Sequence, residues 1–439
     1  SLPRKTVIAD LKILKDRQAA AETLAAYLGR DPSDLAARMG REDRRVVYLA
    51  RDLEPEHAQR IADLRIRGIG LEDSYRRGYL WGALGCHFVG WAGVDGGMEG
   101  LELNLDSLLR GVPGYRVYER DAARRPLSRG DAKSFTPLER APRPGLTVTL
   151  TLDPAVQYVA EEELARLNAE FMPAAVTATV LDVGSGAVLA LACLPRYDPN
   201  NPGEAQAAAR RNRALTDCYE PGSTFKTFIA ALALERGVCR RSERFDCENG
   251  AWRLGYRTLH DAHAYGVLTF DEVIVHSSNI GAAKIGLKSG LDGVYQAVCA
   301  FGFGERARID LPGEAAGIVR PRGRWTRDSL LSVPMGQEIS VTPLQLACAY
   351  AAMVNGGVLF RPQVVACLTS PQGEVLYTLR PQPVRRVISP ATSAAMRTIL
   401  RGAVELGTGR QAWCREYAIG GKTGTAQKVV GGQYSHEKY

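Results

Sequence analysis

The chain has 439 residues, 45% hydrophobic and 24% charged, with a formal net charge of +8. Its length exceeds one comfortable core, so two domains are expected, and its composition is that of an ordinary folded protein. Arginine supplies most of the positive charge, in clusters such as Arg41, Arg44 and Arg45 or Arg210, Arg211 and Arg213. No zinc spacing or nucleic-acid module accompanies them, so no nucleic-acid partner is inferred; the same charge would favour an anionic wall or membrane surface. The 9 cysteines are odd in number and include no CxxC pair, though Cys239 and Cys247 are close enough in sequence to bridge.

In chain order, Val7 to Leu28 reads as a helix with Leu11, Leu14, Leu24 and Leu28 as its apolar markers and Gly29 as its stop. Further helices are predicted at Pro55–Arg65 and Leu101–Leu109, and Gly111, Pro113 and Gly114 mark a turn. Between them, Gly78 to Val94 is uncharged but glycine-rich. From Glu119 to Arg143 the chain is charged, aperiodic and broken by prolines, which makes it the expected domain boundary. Leu146, Val148, Leu150 and Leu152 then alternate with threonines as in a strand, and Asp153-Pro154 suits the cap and first position of a helix reaching about Leu167. Ala174–Leu181 and Gly186–Leu191 are predicted to pair as an antiparallel hairpin. Apolar helices are expected at Ser223–Leu234, Leu268–Val275 and from Pro343 to about Met353. The uncharged run Ile339 to Phe360 is long enough for a membrane span, but its polar residues and Asn355-Gly356-Gly357 point to a buried helix and a turn.

Three motifs carry chemistry. In Pro221-Gly222-Ser223-Thr224-Phe225-Lys226, a serine and a lysine three apart share a helix face, and a neutral lysine there could accept the serine proton. Burial or a second cation would have to lower the Lys226 pKa for that role. In Ser277-Ser278-Asn279, Ser277 could relay a proton and the Asn279 amide could hold substrate. In Lys422-Thr423-Gly424-Thr425, a strand edge would offer backbone donors, two hydroxyls and a cation to a carboxylate, with Gly424 allowing close approach. Each motif alone is ordinary; in this order the three match the set of penicillin-binding proteins and related lactamases.

The sequence resembles a class B penicillin-binding protein, a monofunctional peptidoglycan D,D-transpeptidase. Arg211-Asn212-Arg213-Ala214, Tyr219-Glu220-Pro221-Gly222-Ser223, Thr342-Pro343-Leu344-Gln345, Gly100-Leu101-Glu102 and Thr151-Leu152-Asp153 extend the likeness, and Leu84–Gly90 looks closer to the division and sporulation branch. The resemblance implies an α+β chain: residues 1–140 as a non-catalytic pedestal, and 141–439 as a transpeptidase domain with an antiparallel sheet flanked by helices. It implies attack by Ser223 on a D-Ala–D-Ala bond, Lys226 as base, and Ser277 with Lys422 managing the return proton. Backbone N–H groups of Ser223 and Thr425 would form the oxyanion hole, and Asn279, Thr423, Gly424 and Thr425 would contact substrate. Stem peptides and β-lactams are the implied ligands. A membrane glycosyltransferase and wall-assembly proteins are the implied partners, and no metal or other cofactor is needed.

Members of that family usually begin with a membrane helix facing an extracytoplasmic catalytic domain. Neither that helix nor the sheet strands expected after the third motif is evident here, so a shortened chain is expected. A β-lactamase is disfavoured, because no Glu-x-x-Leu-Asn stretch lies between the second and third motifs. A D,D-carboxypeptidase and a non-enzymatic wall-assembly scaffold are the remaining alternatives. His260 and His263 are close enough to share a ligand but read as structural or solvated residues, and His276 as a local structural one.

Overall fold

The computed structural model describes residues 2–117, 138–255, 257–426, 429–430 and 433–434. The chain divides into two units, Ser1–Asp106 with Tyr197–Ala205, and Ser107–Arg196 with Gln206–Tyr439. The charged stretch read as a domain boundary falls largely outside the described residues.

In the first unit, Leu2–Asp10 is a strand, not the start of the predicted helix. It is the centre of an antiparallel sheet, between Val46–Leu53 and Ile69–Arg76. The β-branched Thr6, Val7 and Ile8 favour that conformation, and pairing on both sides outweighs the helical spacing of the leucines that follow. The helix begins only at Arg17, where Asp16 Oδ1 accepts from Ala19 N at 2.9 Å, and ends as predicted at Gly29, whose φ of 59° suits a left-handed cap. Helices Pro32–Met39 and Pro55–Asp63 complete the layer, and Val7, Ala21, Leu24, Leu35, Leu49 and Ile61 form its core. Each large side chain buried there contributes about 1.5–3 kcal/mol. The expected helix Leu101–Leu109 is two short turns, Gly100–Asn104 and Asp106–Leu109.

The second unit is α+β. Val365–Thr369 pairs antiparallel with both Thr147–Leu150 and Val375–Thr378, and Val176–Leu181 pairs with Val188–Leu194 as the expected antiparallel hairpin. A bridge between Ala187 and Gln363 links the two groups. Asp153 caps helix Pro154–Phe171 through Ala155 N at 2.8 Å and Val156 N at 3.1 Å, and Leu164 of that helix packs on Ala192 and Leu194. Helix Pro343–Val354 starts in a reciprocal capping box of Thr342 and Gln345 and is followed by a turn and strand Val358–Phe360. No helix among the described residues is long and apolar enough to cross a membrane. Leu268–Val275 is not all helix: Val267–Thr269 is a strand, and Thr269 then caps helix Phe270–Val275. Cys239 and Cys247 are free and buried, so the bridge considered from sequence is not made. Cys247 Sγ instead donates to Phe245 O at 3.7 Å and lies 3.2 Å from Ser278 Oγ.

Candidate active site

Ser223 sits on a 3-10 turn, Gly222–Phe225, which runs directly into helix Lys226–Glu235. The predicted single α-helix is therefore tighter at its start. Residues three apart eclipse in a 3-10 turn, so Ser223 and Lys226 still share a face. The turn is fixed from behind. Tyr350 Oη donates to Thr224 O at 2.8 Å, Thr227 Oγ1 donates to the same carbonyl at 2.8 Å, and Thr224 Oγ1 donates to Pro221 O at 2.6 Å. Phe228, fully buried one turn on, packs against Phe225, Phe301, Phe303 and Tyr350 at ring separations of 5.4, 4.9, 5.1 and 5.0 Å. Gly222 has φ 56°, and a Cβ there would lie 2.6 Å from Thr425 O. Gly336 is as confined: its Cβ would lie 2.1 Å from Gly222 O. Glycine is required at both, by close backbone approach as well as by conformation.

Lys226 is buried to 1% exposure. Its Nζ donates to Ser277 O at 2.6 Å, Ser277 Oγ at 3.2 Å and Asn279 Oδ1 at 2.7 Å. Desolvation, with a smaller push from the Lys422 charge, lowers its pKa to about 7, against an opposing pull from Asp261. Of the two causes named as alternatives from the sequence, burial is the larger and a second cation, Lys422, the smaller, and both act. Ser277 occupies the left-handed region, φ 62°, just past the end of helix Phe270–Val275. Glycine would normally stand there, and a serine costs roughly 1 kcal/mol or more of local strain. Ser278 caps helix Asn279–Ala300 through Gly281 N at 2.9 Å. Asn279 is the first residue of that helix, and its Nδ2 donates to His260 O at 2.7 Å. The second N–H of this amide is left for another acceptor.

The third motif comes to the same place. A Cβ on Gly424 would lie 2.7 Å from Thr224 Cγ2 and 2.8 Å from Pro221 O, so this segment rests against the Ser223 turn. Lys422 Nζ donates to Thr423 O at 2.9 Å, and burial lowers its pKa to about 8. Thr423 Oγ1 lies 2.8 Å from Thr408 Oγ1, while Thr425 is exposed. The expected strand edge is not present: residues 420–426 carry no strand. Gly421 N is bonded to Leu400 O at 3.1 Å, and packing of Gly424 on the nucleophile turn, not a ladder, holds the segment.

A serine, two lysines of depressed pKa and a Ser-x-Asn helix terminus thus converge within one unit. Residues 176–439 match the penicillin binding protein transpeptidase domain, and residues 3–150 match the penicillin-binding protein dimerisation domain. The chain is a class B penicillin-binding protein. It is 32% identical, over 100% of its length and 73% of the relative's, to the probable peptidoglycan D,D-transpeptidase PenA of Neisseria meningitidis. Peptidoglycan D,D-transpeptidase FtsI of Escherichia coli is 32% identical over 98% of this chain and 71% of its own. The crystal structure of penicillin binding protein 3 from Mycobacterium tuberculosis, complexed with ampicillin, superposes with TM-score 0.72 at 30% identity, covering 84% of this chain and 78% of that one.

Four residues of this penicillin-binding protein's site had no signal in the sequence. Tyr350, Gly336 and Thr408 come from distant segments and act by packing or by one hydrogen bond. Asp261 is the fourth: its carboxylate accepts from Ser278 Oγ at 2.6 Å, from Ile280 N at 3.0 Å and from Asn279 N. The neighbouring histidines are local, as expected: His263 packs on Tyr265 at 5.9 Å and His276 stacks on it at 5.5 Å.

Proposed function

We propose that this chain is a peptidoglycan D,D-transpeptidase that works through a Ser223 acyl-enzyme. The observation that carries the reading is Lys226: buried, with a pKa near 7, aligned by Ser277 and Asn279, and one 3-10 turn from Ser223. On becoming neutral Lys226 gives up one of its three donated hydrogen bonds and gains a lone pair, which takes the proton of Ser223 Oγ as that oxygen attacks the penultimate D-alanine carbonyl. The oxyanion would be met by the N–H groups of Ser223 and Thr425. Ser277 Oγ, 3.2 Å from Lys226 Nζ, would pass the proton to the leaving D-alanine amine, with Lys422 assisting. An amine of a neighbouring stem peptide then attacks the acyl carbonyl, releasing Ser223 and forming the cross-link. Asn279 and Thr423–Thr425 would hold the donor peptide, and β-lactams would acylate the same serine.

Residues 1–140 would serve as pedestal and 141–439 as the transpeptidase domain. The active site would face outward from a bacterial cell membrane, alongside a membrane glycosyltransferase that supplies nascent strands. Labelling of the intact protein with a fluorescent penicillin tests the core of this reading. A stable adduct on Ser223, abolished by Ser223→Ala in a folded protein, is expected; a folded wild type with no adduct would leave a non-enzymatic scaffold. Product analysis with stem peptides and an acceptor amine separates cross-linking from D,D-carboxypeptidase release.

A further inference from the structure

Asp261 stands at the end of the hairpin Ala251–Leu254/Arg257–His260, outside all three motifs. Its three acceptor contacts all go to the start of helix Asn279–Ala300: the Ser278 hydroxyl and the N–H groups of Asn279 and Ile280. Ser278 Oγ in turn accepts from Gly281 N. Three of the orphan donors of that helix are thus satisfied by one carboxylate and one hydroxyl. The carboxylate is itself held. Asp261 N donates to Gly250 O at 3.0 Å, and Lys284 of the helix lies 4.7 Å over the Trp252 ring of the hairpin. A carboxylate at a helix N-terminus is favoured by the helix dipole, and here it locks the turn that aims Ser277 and Asn279.

We propose, building on the reading of Lys226 as base, that Asp261 is the positioning residue of this site: it clamps the Ser-Ser-Asn terminus against Lys226 and sets a negative charge opposite that lysine. The charged groups facing Lys226 are Lys422, from the third motif, and Asp261, from the hairpin. They act in opposite directions, Lys422 favouring the neutral amine and Asp261 the ammonium. Facing Asp261 are Lys226 and two groups whose pKa is raised, first by burial and to a lesser degree by the Asp261 charge: the Cys247 thiol and the Tyr265 phenol. The clamp and the charge make separable contributions. Asparagine in place of Asp261 keeps an oxygen for the two backbone N–H groups, and Ser278 can turn its proton to Cys247 Sγ, 3.2 Å away. Asp261→Asn therefore removes the charge and retains most of the clamp, whereas Asp261→Ala removes both.

The test is the second-order rate of Ser223 acylation by a penicillin from pH 5 to 9, in the intact wild type, Asp261→Asn and Asp261→Ala, with thermal unfolding alongside. In Asp261→Asn the acid limb is expected to move to lower pH by roughly half to one unit, because without the carboxylate Lys226 loses its proton more readily and stays neutral to a lower pH. The plateau should stay within about threefold of wild type. In Asp261→Ala the plateau is expected to fall by about ten- to a hundredfold, since a misaimed Ser277 and Asn279 no longer align the base. An unmoved acid limb in Asp261→Asn, or a wild-type plateau in Asp261→Ala, would overturn the proposal. So would unfolding of both variants, which would make Asp261 a residue of the fold and not of the site. A wild type that forms no Ser223 adduct would instead refute the underlying enzyme reading, so the two failures are distinguishable.

Discussion

Two lysines of lowered pKa in one site make the pH response the most informative property at the residue scale. Lys226, pushed down to about 7 mainly by burial, is neutral above that pH and protonated below it. Acylation is therefore expected to be lost as pH falls through about 7, with a limb that follows a single deprotonation. Because the Lys422 charge helps to lower Lys226, Lys422→Gln should move that limb to higher pH, opposite in sign to the change expected for Asp261→Asn. A limb that shifts the same way in both variants would show that charge is not the cause. Ser277 is the other residue whose role shows as strain: a non-glycine at φ 62° is retained where its Oγ reaches Lys226. Ser277→Gly should therefore leave the unfolding temperature unchanged or raised while slowing acylation; a lowered temperature would contradict that account.

At the scale of elements, the nucleophile turn is held by the helix that follows it and by two close glycine approaches, Gly336 on Gly222 and Gly424 on Pro221 and Thr224. Gly424→Ala would force its Cβ to 2.7 Å from Thr224 Cγ2 and so displace the third motif from the turn. Displacement by about 1 Å is enough for roughly a hundredfold loss of rate, so acylation should fall by ten- to a hundredfold with little change in unfolding. Stopped-flow acylation and circular dichroism on one preparation separate the two effects. Phe228→Ala is the converse. The ring is fully buried among four others, so truncation should cost about 3–5 kcal/mol in urea unfolding of the catalytic unit. The helix beneath Ser223 is thus anchored by apolar burial.

At the scale of the whole molecule, the first unit is not one continuous stretch of chain. Tyr197–Ala205 belongs to it although the chain has by then already built the first strands of the second unit. Tyr197, 4% exposed, donates to Cys86 O at 3.2 Å, and Asn200 exchanges two hydrogen bonds of 3.0 Å with the backbone of Tyr79. A fragment ending at residue 140 lacks this segment and is expected to unfold more easily than the same unit in the intact chain. Tyr197→Ala in the full protein should lower the stability of the first unit by about 3–5 kcal/mol. Hydrogen exchange resolved by segment checks this: faster exchange confined to Ser1–Asp106 and Tyr197–Ala205 is expected, and unchanged protection there would refute it.

The sequence by itself determined what depends on neighbours along the chain. Asp153 and Gly29 marked helix ends because capping needs only the next few residues, and strand Thr147–Leu150 was legible from the alternation of Val148 and Leu150 with threonines. The residues that the fold brings together at the candidate site were legible too, because Ser223 with Lys226, Ser277 with Asn279, and Lys422 with Thr423 are each short-range pairs in a telling order. Tertiary structure decided the rest. Leu2–Asp10 became a strand because two partners, far along the chain, pair with it on both sides. The third motif carries no strand, and where its segment lies was decided by Gly424 resting against the Pro221–Thr224 turn, a contact between distant parts of the chain. Asp261, Tyr350 and Gly336 entered the site only through folding, since a hydrogen bond or a close approach across many residues leaves no local pattern. For the same reason the lowered pKa of Lys226, which needs burial and a second lysine brought in from Lys422, could be required by the sequence but supplied only by the fold.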